Sequence, residues 1–396
     1  MKWCEWKRKL ALFLFSQGIT LFGSMLVQFA IIWHIARTTT SGSMVSLSTI
    51  CSFLPQLLIS TFAGVWADHY SRKAIILLSD GCIAAITLIL VVLLRYGISS
   101  IWLFLLISVI RSVGAGIQTP AVNAMIPQLV PKENLMRVNG INSTLGAVIS
   151  FAAPIAGGAI LNEAPLYWVL MIDVFTAIIG ISLLTFIQVK RPQTDGKAKR
   201  SGHLLELKEG LKYCFGQKWL KRLLTVYMAY TLFVIPAGYL NVLLVARVYL
   251  DNYWYLTMNE VAFFAGMTAG GLALSVLGGF KRKTNTLILG FLLFGGSAIL
   301  MGIHSSFLIY LATVFFTGFS VPLTASSFQA ILQERTPSQM QGRVFGIAGA
   351  VNSLFIQVGM IVFGPLADIV SIQSLMIFTG IALLLLAFWS RRRMLV

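Results

Sequence analysis

Charge is what this chain has least of. Of its 396 residues only 11% are Asp, Glu, Lys or Arg, where a soluble domain carries about 25%. Acids are scarcer than bases, thirteen against thirty. So few ionic groups do not cover a water-facing surface of this size, which excludes an ordinary soluble enzyme. Cysteine is also rare: Cys4, Cys51, Cys82 and Cys214 show no Cys-x-x-Cys spacing, which argues against a disulfide framework or structural zinc. His34, His69, His203 and His304 are isolated, so no metal-binding cluster is visible. The Gly196-Lys197 pair is followed by Ala198, not Ser or Thr, and no phosphate-binding loop is formed. No Gly-x-Ser-x-Gly elbow occurs either. The sequence therefore offers no catalytic constellation and no metal site, and the expectation is a chain that is not an enzyme.

What is present is apolar. Hydrophobic residues make up 57% of the chain. A helix needs about 20 mostly apolar residues to cross the hydrocarbon layer. Twelve such stretches are read at 10–36, 44–67, 74–94, 100–124, 139–161, 165–188, 220–246, 257–280, 284–303, 306–330, 343–367 and 372–390. They are too long for strands and lack alternation, so the expected fold class is an all-α membrane protein. Twenty-six of the thirty Lys and Arg fall on one side of this map, with only Arg37, Arg95 and Arg247 opposite and Arg111 within a span. By the positive-inside rule both termini are expected in the cytoplasm. The net charge of +17 is then a topology signal and an attraction to anionic lipid, not a nucleic-acid footprint. All nine tryptophans lie at or near span ends, as an interfacial belt would place them.

The longest non-apolar stretch, 189–219, divides the chain into 1–188 and 220–396. Within it Leu204, Leu207, Leu211 and Phe215 recur at helical spacing among lysines, which reads as an amphipathic helix on the cytoplasmic membrane face or as a plain tether. The halves repeat. Pro131 and Arg137-Val138-Asn139-Gly140-Ile141 return 206 residues later as Pro337 and Arg343-Val344-Phe345-Gly346-Ile347. Two six-helix bundles are expected to form a cavity at their seam and to rock about it.

The loop after the second span reads Gly64-Val65-Trp66-Ala67-Asp68-His69-Tyr70-Ser71-Arg72-Lys73. It resembles the Gly-x-x-x-Asp-Arg-x-x-Arg-Lys/Arg signature of the major facilitator superfamily, with His69 in place of the first Arg. Gly64, Asp68, Arg72 and Lys73 are then expected to form a conformational latch, with Gly64 permitting close approach to a neighbouring helix; the alternative is a solvated turn. Ala153-Pro154-Ile155-Ala156-Gly157-Gly158 in the fifth span resembles the motif of superfamily antiporters, through Pro154, Gly157 and Gly158. A packing kink is the other reading. Arg111, alone deep in a span, must find a partner, for which Asp80 is a candidate, and Asp173 is the other plainly intramembrane acid. Structural pairing and proton coupling both remain open for these three. Asp368 and Glu334, at span ends, suit caps or latch partners.

Along its length the chain looks like a major facilitator drug:proton antiporter, most like the bacterial macrolide-efflux type. Trp6-Lys7-Arg8-Lys9, Arg111-Ser112-Val113-Gly114, Thr119-Pro120-Ala121, Met267-Thr268-Ala269-Gly270-Gly271 and Gly342-Arg343-Val344-Phe345 carry that likeness. The resemblance implies two pseudo-symmetric six-helix bundles in a bacterial cytoplasmic membrane. Export of an amphipathic drug would be driven by protons, with no cofactor beyond the gradient. Tyr227, Tyr230, Phe315 and Phe316 are expected to line an apolar cavity, with Gln17, Gln28 and Asn241 supplying polar contacts. The resemblance leaves open a separate ATP-binding partner protein. A same-fold transporter of a siderophore, lipid or metabolite, and a non-transporting sensor or assembly subunit, are the alternatives.

Overall fold

The structure is a computed structural model and describes residues 5–187, 211–249, 252–303 and 306–394. Long helices dominate: α1 (Glu5–Thr39), α2 (Gly42–His69), α3 (Arg72–Arg95), α4 (Ile101–Leu129), α5 (Leu135–Glu163) and α6 (Leu166–Thr185). Three short ones follow, α7 (Lys218–Phe233), α8 (Ile235–Gly238) and α9 (Asn241–Val248). The last are α10 (Tyr253–Leu277), α11 (Lys283–Ile303), α12 (Phe307–Arg335), α13 (Ser338–Ile369) and α14 (Ile372–Met394). Among the described residues no strand occurs, and eleven helices are long and apolar enough to cross a membrane.

The expected seventh span, 220–246, is the exception. It breaks into α7, α8 and α9 around Pro236, which has no N–H to donate and crowds the carbonyl one turn back. Hydropathy alone does not register that interruption. Most of the expected amphipathic segment (188–210) lies outside the described residues.

The chain forms two compact units. One holds Met1–Thr39, Leu47–Lys197 and Asp251–Thr257; the other holds Thr40–Ser46, Ala198–Leu250 and Met258–Val396. The division thus departs from a simple cut at the middle, because the opening turns of α2 and α10 are exchanged. Helix pairing within the units is duplicated. In the first unit α1 packs on α5 and α6, and α3 packs on α4 and α6. In the second, α7 packs on α13 and α14, and α11 packs on α12 and α14. Small residues set these contacts: Gly23 and Gly180 let α1 and α6 approach so closely that a methyl group at either position would strike the facing helix.

In the first unit Phe13, Ile76, Met125 and Leu184 form a closed apolar core at the end carrying the α2–α3 and α4–α5 connections. In the second, Phe291, Met376 and Leu383 are wholly buried. Large apolar side chains elsewhere remain uncovered, including Leu78, Trp102, Phe186, Val276 and Leu308, as a lipid-facing exterior requires. Two tryptophans depart from the expected interfacial belt: Trp6 and Trp33 are buried, Trp33 against Phe29. Position near a helix end does not decide which face a ring occupies.

Candidate functional site

The first unit lines a partly open cavity of roughly 420 Å³. Polar residues at helical spacing on otherwise apolar helices build its wall. Gln17, Ser24 and Gln28 form a stripe on α1, and Ser108, Arg111, Ser112 and Gln118 one on α4. α2 adds Gln56 and α5 adds Asn142. Such amides both donate and accept hydrogen bonds, so the wall can hold a solute without matching its charge.

Arg111 is the charged residue of this lining. Its guanidinium makes a buried ion pair with Asp173 of α6 and also donates to the Thr87 hydroxyl of α3. Thr87 Oγ1 lies 3.1 Å from the same Asp173 oxygen, and Ser24 Oγ donates to the other carboxylate oxygen at 3.4 Å. A cation and two hydroxyls thereby satisfy Asp173, which is only 2% exposed. The expected Arg111–Asp80 pairing is not formed. Asp80 and Arg111 both lie mid-helix, but the α6 contact decides the partner, and sequence does not carry that choice.

Asp80 is buried differently. One of its oxygens accepts from Gln118 Nε2 at 2.6 Å, while Oδ2 has no hydrogen-bond partner among the described residues. Gln118 Nε2 also reaches Gln17 Oε1 at 3.4 Å, and Gln17 Nε2 likewise has no partner there.

The remaining aromatic candidates belong to the packing of the second unit. Tyr227 stacks on Phe328 at 3.8 Å. Tyr230 stacks on Phe291 and hydrogen-bonds Thr324 at 3.2 Å. Asn241 is buried at the start of α9. Phe315 presses its carbonyl on Gly266, and Phe316 is exposed. None of these five lines the first-unit cavity, whereas Gln17 and Gln28 do. Gln56, Gln118 and Asn142 were not singled out from sequence; Gln118 shares a polar face with Ser108, Arg111 and Ser112, whereas Asn142 is the one polar side chain α5 brings to the wall.

The signature loop clamps its own unit. Arg72 donates to the carbonyls of Ala67 (3.1 Å) and Ala124 (2.6 Å), tying the α2–α3 connection to α4. Lys73 Nζ holds the carbonyls of Thr185 and Ile187 at the end of α6, where a cation complements the helix dipole. The side chain of Asp68 lies outside the described residues. Gly64 is a correction: a Cβ there would meet nothing within 4 Å, so the close approach expected of it is not made.

The α5 motif does make close contacts. Pro154 offers its carbonyl to Thr257 at 3.5 Å, Gly157 lies near Leu26, and a methyl group on Gly158 would overlap Thr257. One turn on, Asn162 Oδ1 accepts from Tyr253 N at 3.1 Å and caps α10. The 206-residue repeat runs through this device. In the second unit Gly364 meets Ser46, and Asp368 accepts from Gly42 N (2.6 Å) and Ser43 N (2.9 Å) to cap α2. Arg247 joins Asp368 at 3.2 Å, and Lys283 pairs with Glu334 at 2.5 Å. Asp368 thus serves as a cap and Glu334 as an ion-pair partner.

With this geometry in place, comparison decides the family. The family model of the Major Facilitator Superfamily matches residues 13–280 and 254–394. The chain belongs to that superfamily of transporters. It is 26% identical to Macrolide efflux protein A of Streptococcus pyogenes over 388 residues, 98% of this chain and 96% of that protein. It is 22% identical to the multidrug efflux pump Tap of Mycolicibacterium fortuitum, covering 95% and 93% of the two chains. The solved structure of a mutant of the nucleoside transporter NupG superimposes with a TM-score of 0.77 at 12% identity, covering 98% of this chain and 99% of that one. At that identity the structural likeness speaks for the fold. This is a multi-pass membrane transporter, related to proteins named for macrolide efflux.

Proposed function

We propose that the chain exports hydrophobic or amphipathic drugs, macrolides first among them, across the bacterial cytoplasmic membrane in exchange for protons. The observation that carries this reading is the first-unit cavity: an amphipathic pocket, its mostly apolar wall set with amides and hydroxyls, backed by two buried carboxylates and one buried arginine. Ionisable groups held within membrane helices are expensive and mark ion or substrate pathways. The names of the full-length relatives support drug efflux, and the Pro154, Gly157 and Gly158 motif supports exchange over symport. The site as a whole comprises Gln17 and Gln28 with Gln56, Gln118 and Asn142 for cargo, and Asp80, Arg111 and Asp173 for coupling. Arg72 and Lys73, with Asp68, form the conformational latch on the cytoplasmic side. Energy comes from the proton gradient, with no bound cofactor.

The test has two parts. Susceptible cells expressing the chain should accumulate less labelled erythromycin than cells with an empty vector, and a protonophore should abolish the difference. Purified chain in proteoliposomes should then move erythromycin against its gradient when a pH difference is imposed. Activity there would also make a separate ATP-binding partner unnecessary. No movement under any gradient would reject the pump and favour a sensor. The amide lining favours one second reading, a same-fold carrier for another hydroxyl-bearing solute, which erythromycin would then fail to compete.

A further inference from the structure

Two buried carboxylates stand behind the cavity, and the structure treats them unequally. Both oxygens of Asp173 are engaged, by Arg111, Thr87 and Ser24. Protonating Asp173 would strand the Arg111 guanidinium, itself mostly buried, without an anion. Asp80 has no such tie. It is 4% exposed, accepts one hydrogen bond from a neutral amide, and leaves Oδ2 with no partner among the described residues. The helices packed on α3 are α4 and α6. Of the ionisable groups on those helices, Asp173 lies near Asp80 and is itself paired with Arg111, and α1 contributes the neutral Gln17, which Gln118 reaches. An ionised Asp80 is thus a buried charge without a counterion among the described residues, while a protonated one has an O–H to donate. A group so balanced can take and lose a proton without dismantling its surroundings.

We infer that Asp80 is the proton-binding group of this transporter, that Gln118 and Gln17 link it to the cavity, and that the Arg111–Asp173 pair stays ionised throughout. This rests on the proton-exchange reading above and assigns its carrier. The link works through the amide of Gln118. When Asp80 is a carboxylate it holds Gln118 by its NH2 group, leaving Gln118 Oε1 and Gln17 Nε2 available to a solute in the cavity. When Oδ2 carries a proton, that O–H needs an acceptor, and the amide oxygens of Gln118 and Gln17 are the ones at hand. Proton and cargo then compete for the same amides. Cargo binding drives Asp80 to release its proton to water, and protonation expels cargo, which is the linkage that exchange requires. Three side chains on three helices, two of them with a buried polar atom lacking a partner among the described residues, form this relay.

The experiment adds erythromycin to purified protein in weakly buffered detergent solution and reads proton release with a pH indicator, with binding of labelled erythromycin measured in parallel. The parent should release protons on binding. Asp80→Asn should bind erythromycin while releasing at least tenfold less, and should still exchange labelled for unlabelled erythromycin across liposomes without using a pH gradient. Asp80→Glu should restore release with a displaced pH midpoint, which covers any failure of the amide variant to fold. Release by Asp80→Asn equal to the parent would overturn the assignment while leaving proton exchange intact. Binding by the parent with no proton release would overturn exchange itself, and Na⁺-dependent binding without proton release would do the same.

Discussion

Replacing Arg111 by methionine removes a guanidinium from a position that is 9% exposed and leaves Asp173, 2% exposed, with only hydroxyl partners. Breaking a buried ion pair from one side costs about 3–5 kcal/mol, whereas replacing both partners by apolar residues is often neutral or better. The first unit holds close to two hundred residues, a size at which 1 kcal/mol moves the unfolding midpoint by about 2–4 °C. Arg111→Met should therefore lower the midpoint in detergent by roughly 6–20 °C. Asp173→Leu should do the same, because it strands the cation instead. The double variant should recover most of the loss, giving a coupling energy of about 2 kcal/mol or more in the double-mutant cycle. Differential scanning fluorimetry on the four proteins measures this directly. Additive losses, with coupling below about 0.5 kcal/mol, would refute the pairing of Arg111 with Asp173.

Gly158→Val should lower the unfolding midpoint by an amount corresponding to about 1–3 kcal/mol of overpacking, and Thr257→Gly should relieve it, since the two meet directly. Gln56→Leu should weaken erythromycin binding by up to about tenfold, the worth of one hydrogen bond of 0.5–1.5 kcal/mol, in a scintillation assay on folded protein. Asp368→Ala should cost about 0.5–2 kcal/mol through the lost cap and speed amide exchange at Gly42 and Ser43, whose N–H groups it accepts. Exchange unchanged at those two amides would contradict the capping geometry. Lys73→Met should likewise loosen the end of α6, seen as faster exchange at residues 184–187.

The helices and their order were legible because crossing hydrocarbon demands a long apolar run with no unsatisfied backbone, and such runs are visible residue by residue. The break at Pro236 was missed because a hydropathy window averages over a single missing N–H. The 206-residue repeat was read at Arg137 and Arg343, yet its more telling copies, Gly158 with Gly364 and Asn162 with Asp368, emerged only once their contacts were seen. Of the polar contacts expected from the resemblance, Gln17 and Gln28 line the cavity and Asn241 does not. The aromatic residues of α7 and α12 do not line it either, since a ring in a membrane helix packs in a core as readily as it lines a pocket.

Sequence by itself determined that this chain is a duplicated helical membrane protein with three ionisable residues, Asp80, Arg111 and Asp173, deep in its first half. Those facts are local: hydropathy, spacing and residue type do not depend on what a side chain touches. Which acid holds the arginine and which stands without a counterion was decided by tertiary structure, because pairing inside a membrane depends on rotation of α3, α4 and α6 about their axes. Small residues such as Gly23 and Gly114 set that rotation through contacts that no single helix encodes.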